Sequence, residues 1–183
     1  MSHIVIYPGR FQPFHVGHYA VYMELVSKFG KQNVYICTSN KTDNDKSPFD
    51  FNDKQKIINT LFKIPTNRIV ATRSPYRPIE ILNKFNEDED IFITCVGEKD
   101  ADRLVNGKYY QPYNTNKHQL NPFGVNGYYY VSSIPGKLSG TDVREMFKRN
   151  TYNTAKKLFT KMYPTFNESI SDLMYSKLNG SKN

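Results

Sequence analysis

Short apolar runs alternate with amphipathic stretches along most of this chain. The runs at His3–Tyr7, Asn33–Thr38, Arg68–Thr72, Asp90–Val96 and Tyr128–Ile134 are rich in Val, Ile, Phe and Tyr. They are largely continuous in hydrophobicity. A strand with one wet face would alternate, so continuous runs suit strands buried on both faces of a parallel sheet. Between them, Tyr22, Leu25, Val26 and Phe29 recur at helical spacing, with Gly30 as a stop. Asn52 with Gln55 resembles a capping box ahead of Ile57, Ile58, Leu61 and Phe62, and Pro65 closes that helix. Pro78 suits a first helical turn leading to Ile81, Leu82 and Phe85.

Two regions break the alternation. Residues 98–127 are polar, rich in Tyr and Asn, and show no clear period, so they read as a long loop. After residue 138 the pattern is helical throughout. Val143, Met146 and Phe147 mark one helix, Ala155, Leu158, Phe159 and Met162 a second, and Ile170, Leu173, Met174 and Leu178 a third. The tail from Gly180 to Asn183 reads as frayed. The expected fold is α/β: a Rossmann-like, five-stranded parallel sheet with helices on both faces and a helical C-terminal end. Residues 1–150 form the domain in this reading, and 151–183 a helical extension packed on it.

Composition narrows the classes. The 183 residues contain no run near the roughly 18 apolar residues of a membrane span. The N-terminus reads as a first strand and not as a signal peptide. Cys37 and Cys95 lie within strand-like runs, which suits buried free thiols in a reducing cytoplasm. A formal net charge of +8 suggests polyanionic partners, either nucleic acid or phosphate-rich small molecules, or reflects only a lysine-rich surface. Nucleic acid is not expected as a partner, and a homo-oligomer is left open. No metal-ligand set is expected, because His3 and His118 are remote and the cysteines lack C-x-x-C spacing. P-loop and dinucleotide-fingerprint patterns are absent from the sequence.

The chemistry concentrates in Gly9-Arg10-Phe11-Gln12-Pro13-Phe14-His15-Val16-Gly17-His18, which follows the first strand and opens the first helix. A helix N-terminus there offers unpaired N–H groups and partial positive charge, which favour phosphate. His15 and His18 are three apart and share one face of the first turn. Gly9 permits a tight turn, and Gly17 leaves room where a phosphate comes close. A second stretch, Ser139-Gly140-Thr141-Asp142-Val143-Arg144, stands at the start of a late helix that Thr141 or Asp142 could cap.

These two stretches resemble the nucleotidyltransferase superfamily with the His-x-Gly-His motif. The first of them is most similar to nicotinamide mononucleotide adenylyltransferases. Arg10 and Gln12 stand where pantetheine-phosphate adenylyltransferases and glycerol-phosphate-type cytidylyltransferases carry Thr and Asp. Gly140 stands where the late motif usually has a second Ser. The resemblance implies an adenylyltransferase, with ATP and a phosphorylated small-molecule acceptor as partners and Mg²⁺ carried mainly on substrate phosphates. It implies catalytic roles for His15, His18 and Arg144. It places Gly9, Arg10, Phe11, Phe14, Gly17, Lys46, Gly97, Lys99, Asp100, Ser139, Gly140 and Thr141 around the substrates. A cytidylyltransferase acting on a phospho-alcohol, and a non-catalytic protein retaining the fold, are the alternatives. A faint echo of the aminoacyl-tRNA synthetase loop at Lys137–Thr141 lacks the chain length an anticodon-binding domain would need.

Overall fold

In a computed structural model, which describes residues 1–105, 107–114 and 119–180, the sheet has six strands. They are β1 (His3–Pro8), β2 (Val34–Thr38), β3 (Ile69–Ala71), β4 (Ile91–Val96), β5 (Tyr110–Pro112) and β6 (Gly127–Val131). Their order is β3-β2-β1-β4-β6-β5. The pairings of β1 with β2 and β4, and of β6 with β4 and β5, are all parallel. The helices are α1 (Val16–Phe29), α2 (Phe51–Phe62), α3 (Ile79–Leu82), α4 (Glu98–Val105), α5 (Gly140–Arg149), α6 (Tyr152–Met162) and α7 (Glu168–Asn179).

The α/β architecture is as expected, with corrections in detail. The sheet has six strands and not five, because β5 emerges from the region read as a loop. That region also contains α4. Both elements are short, and α4 is mostly polar, so neither shows a clear period. The strand expected to reach Ile134 ends at Val131. The helix after Pro78 spans only four residues, with Pro78 at its N-cap. The capping box of α2 is Asp50 with Asp53, two residues before the expected pair, and the two side chains and backbone N–H groups bond reciprocally. Residues 181–183, the greater part of the tail expected to fray, and His118 lie outside the described residues.

The chain forms two compact units. The first comprises Met1–Gly9, Val21–Thr38 and Thr72–Ile134. Ile4, Val5, Ile6, Val34, Ile36, Phe92 and Ile93 are fully buried there, and all six residues of β4 are buried. That is why these runs are continuous and not alternating. The strand order turns back between β1 and β4, which makes a topological switch point. Gly9 follows β1 and donates its N–H to the Cys37 carbonyl at 3.1 Å. Gly97 follows β4, and its carbonyl accepts from Asp100 and Ala101 to start α4. Glu24 on α1 accepts from the Tyr130 and Ser132 hydroxyls at 2.7 and 2.6 Å and from Ser133 through N–H and hydroxyl. These bonds hold the chain as it leaves β6, and they keep the Glu24 carboxyl below its ordinary range against the opposing effect of burial.

The second unit comprises Arg10–Ala20, Ser39–Ala71 and the chain from Pro135. Its core is aromatic. Phe14 meets Phe62 edge-on at 5.1 Å, Phe62 meets Tyr163 at 5.8 Å, and Tyr163 stacks on Phe159 at 4.8 Å. Phe14, Phe49, Phe147 and Phe159 are all fully buried. Each such ring contributes about 1.5–3 kcal/mol through burial. The 10–20 segment is therefore seated on a rigid base.

Candidate active site

The loop between β1 and α1 is fixed from several sides. Phe11 carries the left-handed backbone of the turn, with φ of 49°, a role the sequence had suggested for Gly9. The Gln12 side chain forms two hydrogen bonds to the backbone of Phe49, donating to its carbonyl at 2.8 Å and accepting from its N–H at 2.9 Å. An amide makes this pair because it offers a donor and an acceptor side by side.

His15 stands at the N-cap of α1, since its carbonyl accepts the first helical bond from Tyr19 at 3.0 Å. Its Nδ1 accepts the Gly17 N–H at 3.0 Å. An accepting Nδ1 leaves the ring proton on Nε2. That Nε2 is buried and has no hydrogen-bond partner among the described residues. Buried polar groups without partners are rare in folded proteins, which sets this nitrogen apart from ordinary core atoms. The His15 N–H in turn donates to Nδ1 of His18 at 3.1 Å, which assigns the His18 proton to Nε2 as well. The two rings stack with centroids 3.7 Å apart. Phe11 meets His18 edge-on at 5.0 Å, and Phe14 lies 5.3 Å away. Both phenyl rings are thus buried walls behind the imidazoles.

Gly17 has a reason beyond room for a phosphate. A Cβ there would stand 2.9 Å from Cε1 and 3.1 Å from Nδ1 of His15, so the glycine makes space for that ring. Gly140 works the same way. A Cβ there would lie 2.9 Å from the Gln12 carbonyl oxygen and 3.2 Å from a guanidinium nitrogen of Arg144. Arg144 reaches past this gap to donate to that carbonyl at 2.6 Å and to the Thr141 hydroxyl at 3.2 Å. The cap of α5 is Ser139, in a capping box with Asp142, rather than Thr141 or Asp142 alone. The departure to glycine at position 140 is what lets the arginine approach.

Arg10 donates to the Ser47 hydroxyl at 2.6 Å and to the Lys46 carbonyl at 3.3 Å. Asp43 accepts from the N–H groups of Asp45, Lys46 and Ser47, which folds the segment presenting Lys46. The second unit thus brings together Arg10, Phe11, Phe14, His15, Gly17, His18, Lys46, Ser139, Gly140, Thr141 and Arg144. Gly9, Gly97, Lys99 and Asp100 belong to the first unit, the last two in the opening turn of α4. Sequence reasoning passed over Ser47, Asp43 and Lys54. Lys54 is buried on α2 and donates to the Ser39 carbonyl at 2.8 Å. Burial, then the charge of Arg10, pulls its amine down to about 8, with Asp50 opposing. A lysine inside an otherwise helical pattern reads as surface, so nothing in the sequence marks it.

Burial lowers His15 to about 4, partly offset by Asp142, and holds His18 well below its ordinary value, with His15 adding to the effect. His3 is lowered as well, by burial and then the N-terminus. Both site imidazoles are therefore neutral donors at neutral pH. The unfolded chain takes up protons near pH 6.5 that the folded one refuses. Stability is then fully present above pH 6.5 and falls as pH drops toward 4. His15, only 2 % exposed, should alone cost on the order of 2 kcal/mol by pH 5. Thermal midpoints at pH 7 and 5 test this: His15→Gln should flatten the decline, and an unchanged slope would show that the ring is not held neutral by the fold.

Among the described residues no group of three or more His, Cys, Asp or Glu side chains is placed to hold a metal ion. No helix among them is long and apolar enough to cross a membrane. Cys37 and Cys95 are buried free thiols.

The parallel sheet with its switch point defines a Rossmann-like α/β protein. The cytidylyltransferase-like family profile matches residues 6–146, and the chain belongs to that family. Its fold is shared with nicotinic acid mononucleotide adenylyltransferase from Plasmodium falciparum, solved with NaAD, at a TM-score of 0.60 and 17 % identity over 100 % of both chains. A bifunctional NMN adenylyltransferase/ADP ribose pyrophosphatase from Francisella tularensis, solved with AMP and a Mn ion, aligns at 0.56 and 17 % identity. That alignment covers 97 % of this chain and 52 % of the other. No curated protein matches the sequence.

Proposed function

We propose that this protein transfers the adenylyl group of ATP to a mononucleotide such as nicotinamide mononucleotide, with release of pyrophosphate. The observation that carries the reading is the unmatched Nε2–H of His15, stacked on His18 at the N-terminus of a 14-residue helix. Two neutral imidazole donors and a helix N-terminus suit an α-phosphate whose charge grows during displacement. An acceptor phosphate oxygen attacks the α-phosphorus in line. The bond from that phosphorus to the bridging oxygen breaks, and pyrophosphate leaves with the bonding pair. No covalent protein intermediate is required, and the protein supplies position and charge stabilisation.

His18 and His15 steady the α-phosphate, and Arg144 with Thr141 steadies the departing pyrophosphate. Arg144 has five donors, of which two are engaged as described above, and its planar fork matches phosphate oxygens. Lys46 adds a positive charge. ATP enters as its magnesium complex, a substrate whose ion is held by phosphate and water. The roles of Gly97, Lys99 and Asp100 at the nucleotide rest on resemblance alone. The free thiols suit a cytoplasmic setting.

Arg10 and Gln12 support ATP and a pyridine mononucleotide over CTP and a phospho-alcohol. Initial velocities should be measured with ATP or CTP against nicotinamide mononucleotide, nicotinate mononucleotide, phosphopantetheine and glycerol phosphate. ATP with a pyridine mononucleotide should be clearly fastest. Preference for CTP with a phospho-alcohol would reassign the acceptor, and silence with triphosphate still bound would make the protein a binding module.

A further inference from the structure

One buried contact in the second unit is not used by the mechanism above. Tyr163, at the C-terminal end of α6, is 2 % exposed, and its hydroxyl donates to the Phe14 carbonyl at 2.7 Å. Its ring stacks on Phe159 and meets Phe62. Phenylalanine would fill that space equally well. The hydroxyl therefore adds something packing alone does not.

The Phe14 carbonyl and the His15 N–H belong to one rigid peptide plane. The N–H end of that plane donates to Nδ1 of His18 at 3.1 Å. The Tyr163 hydroxyl thus bonds one end of a peptide whose other end bonds the imidazole. Fixing the carbonyl fixes the direction of the N–H, and hydrogen bonds in such a chain polarise one another. An N–H aimed at Nδ1 obliges His18 to carry its proton on Nε2. Burial pushes the Tyr163 phenol well above its ordinary value, so the hydroxyl remains a donor.

We propose that Tyr163 is a positioning residue that acts through the Phe14–His15 peptide to hold His18 as the Nε2–H tautomer required at the α-phosphate. This rests on the adenylyl-transfer reading for its consequence, but the tautomer itself needs no substrate. The C-terminal helices are then part of the catalytic apparatus and not an appendage.

The test is Tyr163→Phe in the full-length chain, read in two ways. Long-range ¹⁵N NMR of the imidazoles in the substrate-free protein should show Nε2–H for His18 in the parent and a mixture of tautomers in the variant. Turnover should fall about 5- to 10-fold with ATP KM nearly unchanged, as expected for one lost buried hydrogen bond. An unchanged tautomer overturns the relay. A changed tautomer with full turnover overturns its part in catalysis. A tautomer response in a protein that turns over no substrate pair leaves the relay standing and removes the reaction instead. If Tyr163→Phe does not fold, 3-fluorotyrosine at 163 keeps the ring and strengthens the donor. The His15 amide proton should then move downfield, and a stationary resonance would overturn the proposal.

Discussion

Replacing His18 by alanine should lower kcat about 10²-fold or more, the usual consequence of removing one oriented donor from a developing charge. The dissociation constant for ATP should change far less, because the helix N-terminus remains and Arg144 and Thr141, the residues proposed for the pyrophosphate, are untouched. The structure supplies the control this experiment needs. His18 also accepts the His15 N–H and packs against Phe11 and Phe14. Alanine therefore leaves a buried N–H without its acceptor, which costs about 1–3 kcal/mol of stability. His18→Asn retains an acceptor and a polar tip. It should recover stability without recovering turnover. The measurement is single-turnover adenylyl transfer alongside thermal melting of both variants. Near-normal transfer by folded His18→Ala would take this residue out of the reaction.

The sheet was legible because strands buried on both faces leave an unmistakable mark. Ile91 to Val96 reads as a solid apolar block and is buried at every position. The C-terminal helices were legible for the same reason, since their apolar faces return at helical spacing. β5 was not. It has three residues, two of them exposed, and parallel pairing with β6 makes it a strand more than its own composition does. The caps failed by small offsets: Asp50 and Ser139 are ordinary polar residues in polar stretches, and only geometry selects which one closes each helix.

In the site, His15, His18 and Arg144 could be chosen from motif and helix register. What could not be read was the reason for each glycine. Position 17 is small because an imidazole occupies the space, and position 140 is small because a guanidinium passes. Both are long-range or folded-back contacts that no local pattern encodes. Tyr163 was equally hidden, since 149 residues separate it from the carbonyl it holds.

The Arg144 fork gives the last prediction. Lysine at 144 preserves the charge but offers one compact ammonium in place of a planar pair of nitrogens. It cannot reach both the Gln12 carbonyl and the Thr141 hydroxyl, so it should lie differently at the start of α5. Loss of a charge-assisted hydrogen bond is worth about 1.5–3 kcal/mol, so kcat/KM for ATP should fall roughly 10- to 10²-fold. Gly140→Ala attacks the same geometry from the other side. Its new Cβ would sit 2.9 Å from the Gln12 carbonyl oxygen, which is backbone and cannot swing aside, and 3.2 Å from the guanidinium. The alanine variant keeps Arg144 chemically intact yet should lose activity of the same order. Because both changes act on one fork, the double variant should be little worse than either single one, whereas independent sites would multiply their losses. Steady-state constants for the four proteins of this cycle decide the matter. Multiplicative losses would show that Gly140 serves the backbone of α5 alone. Parent-like constants for Arg144→Lys would reduce Arg144 to a tie between the Gln12 loop and that helix.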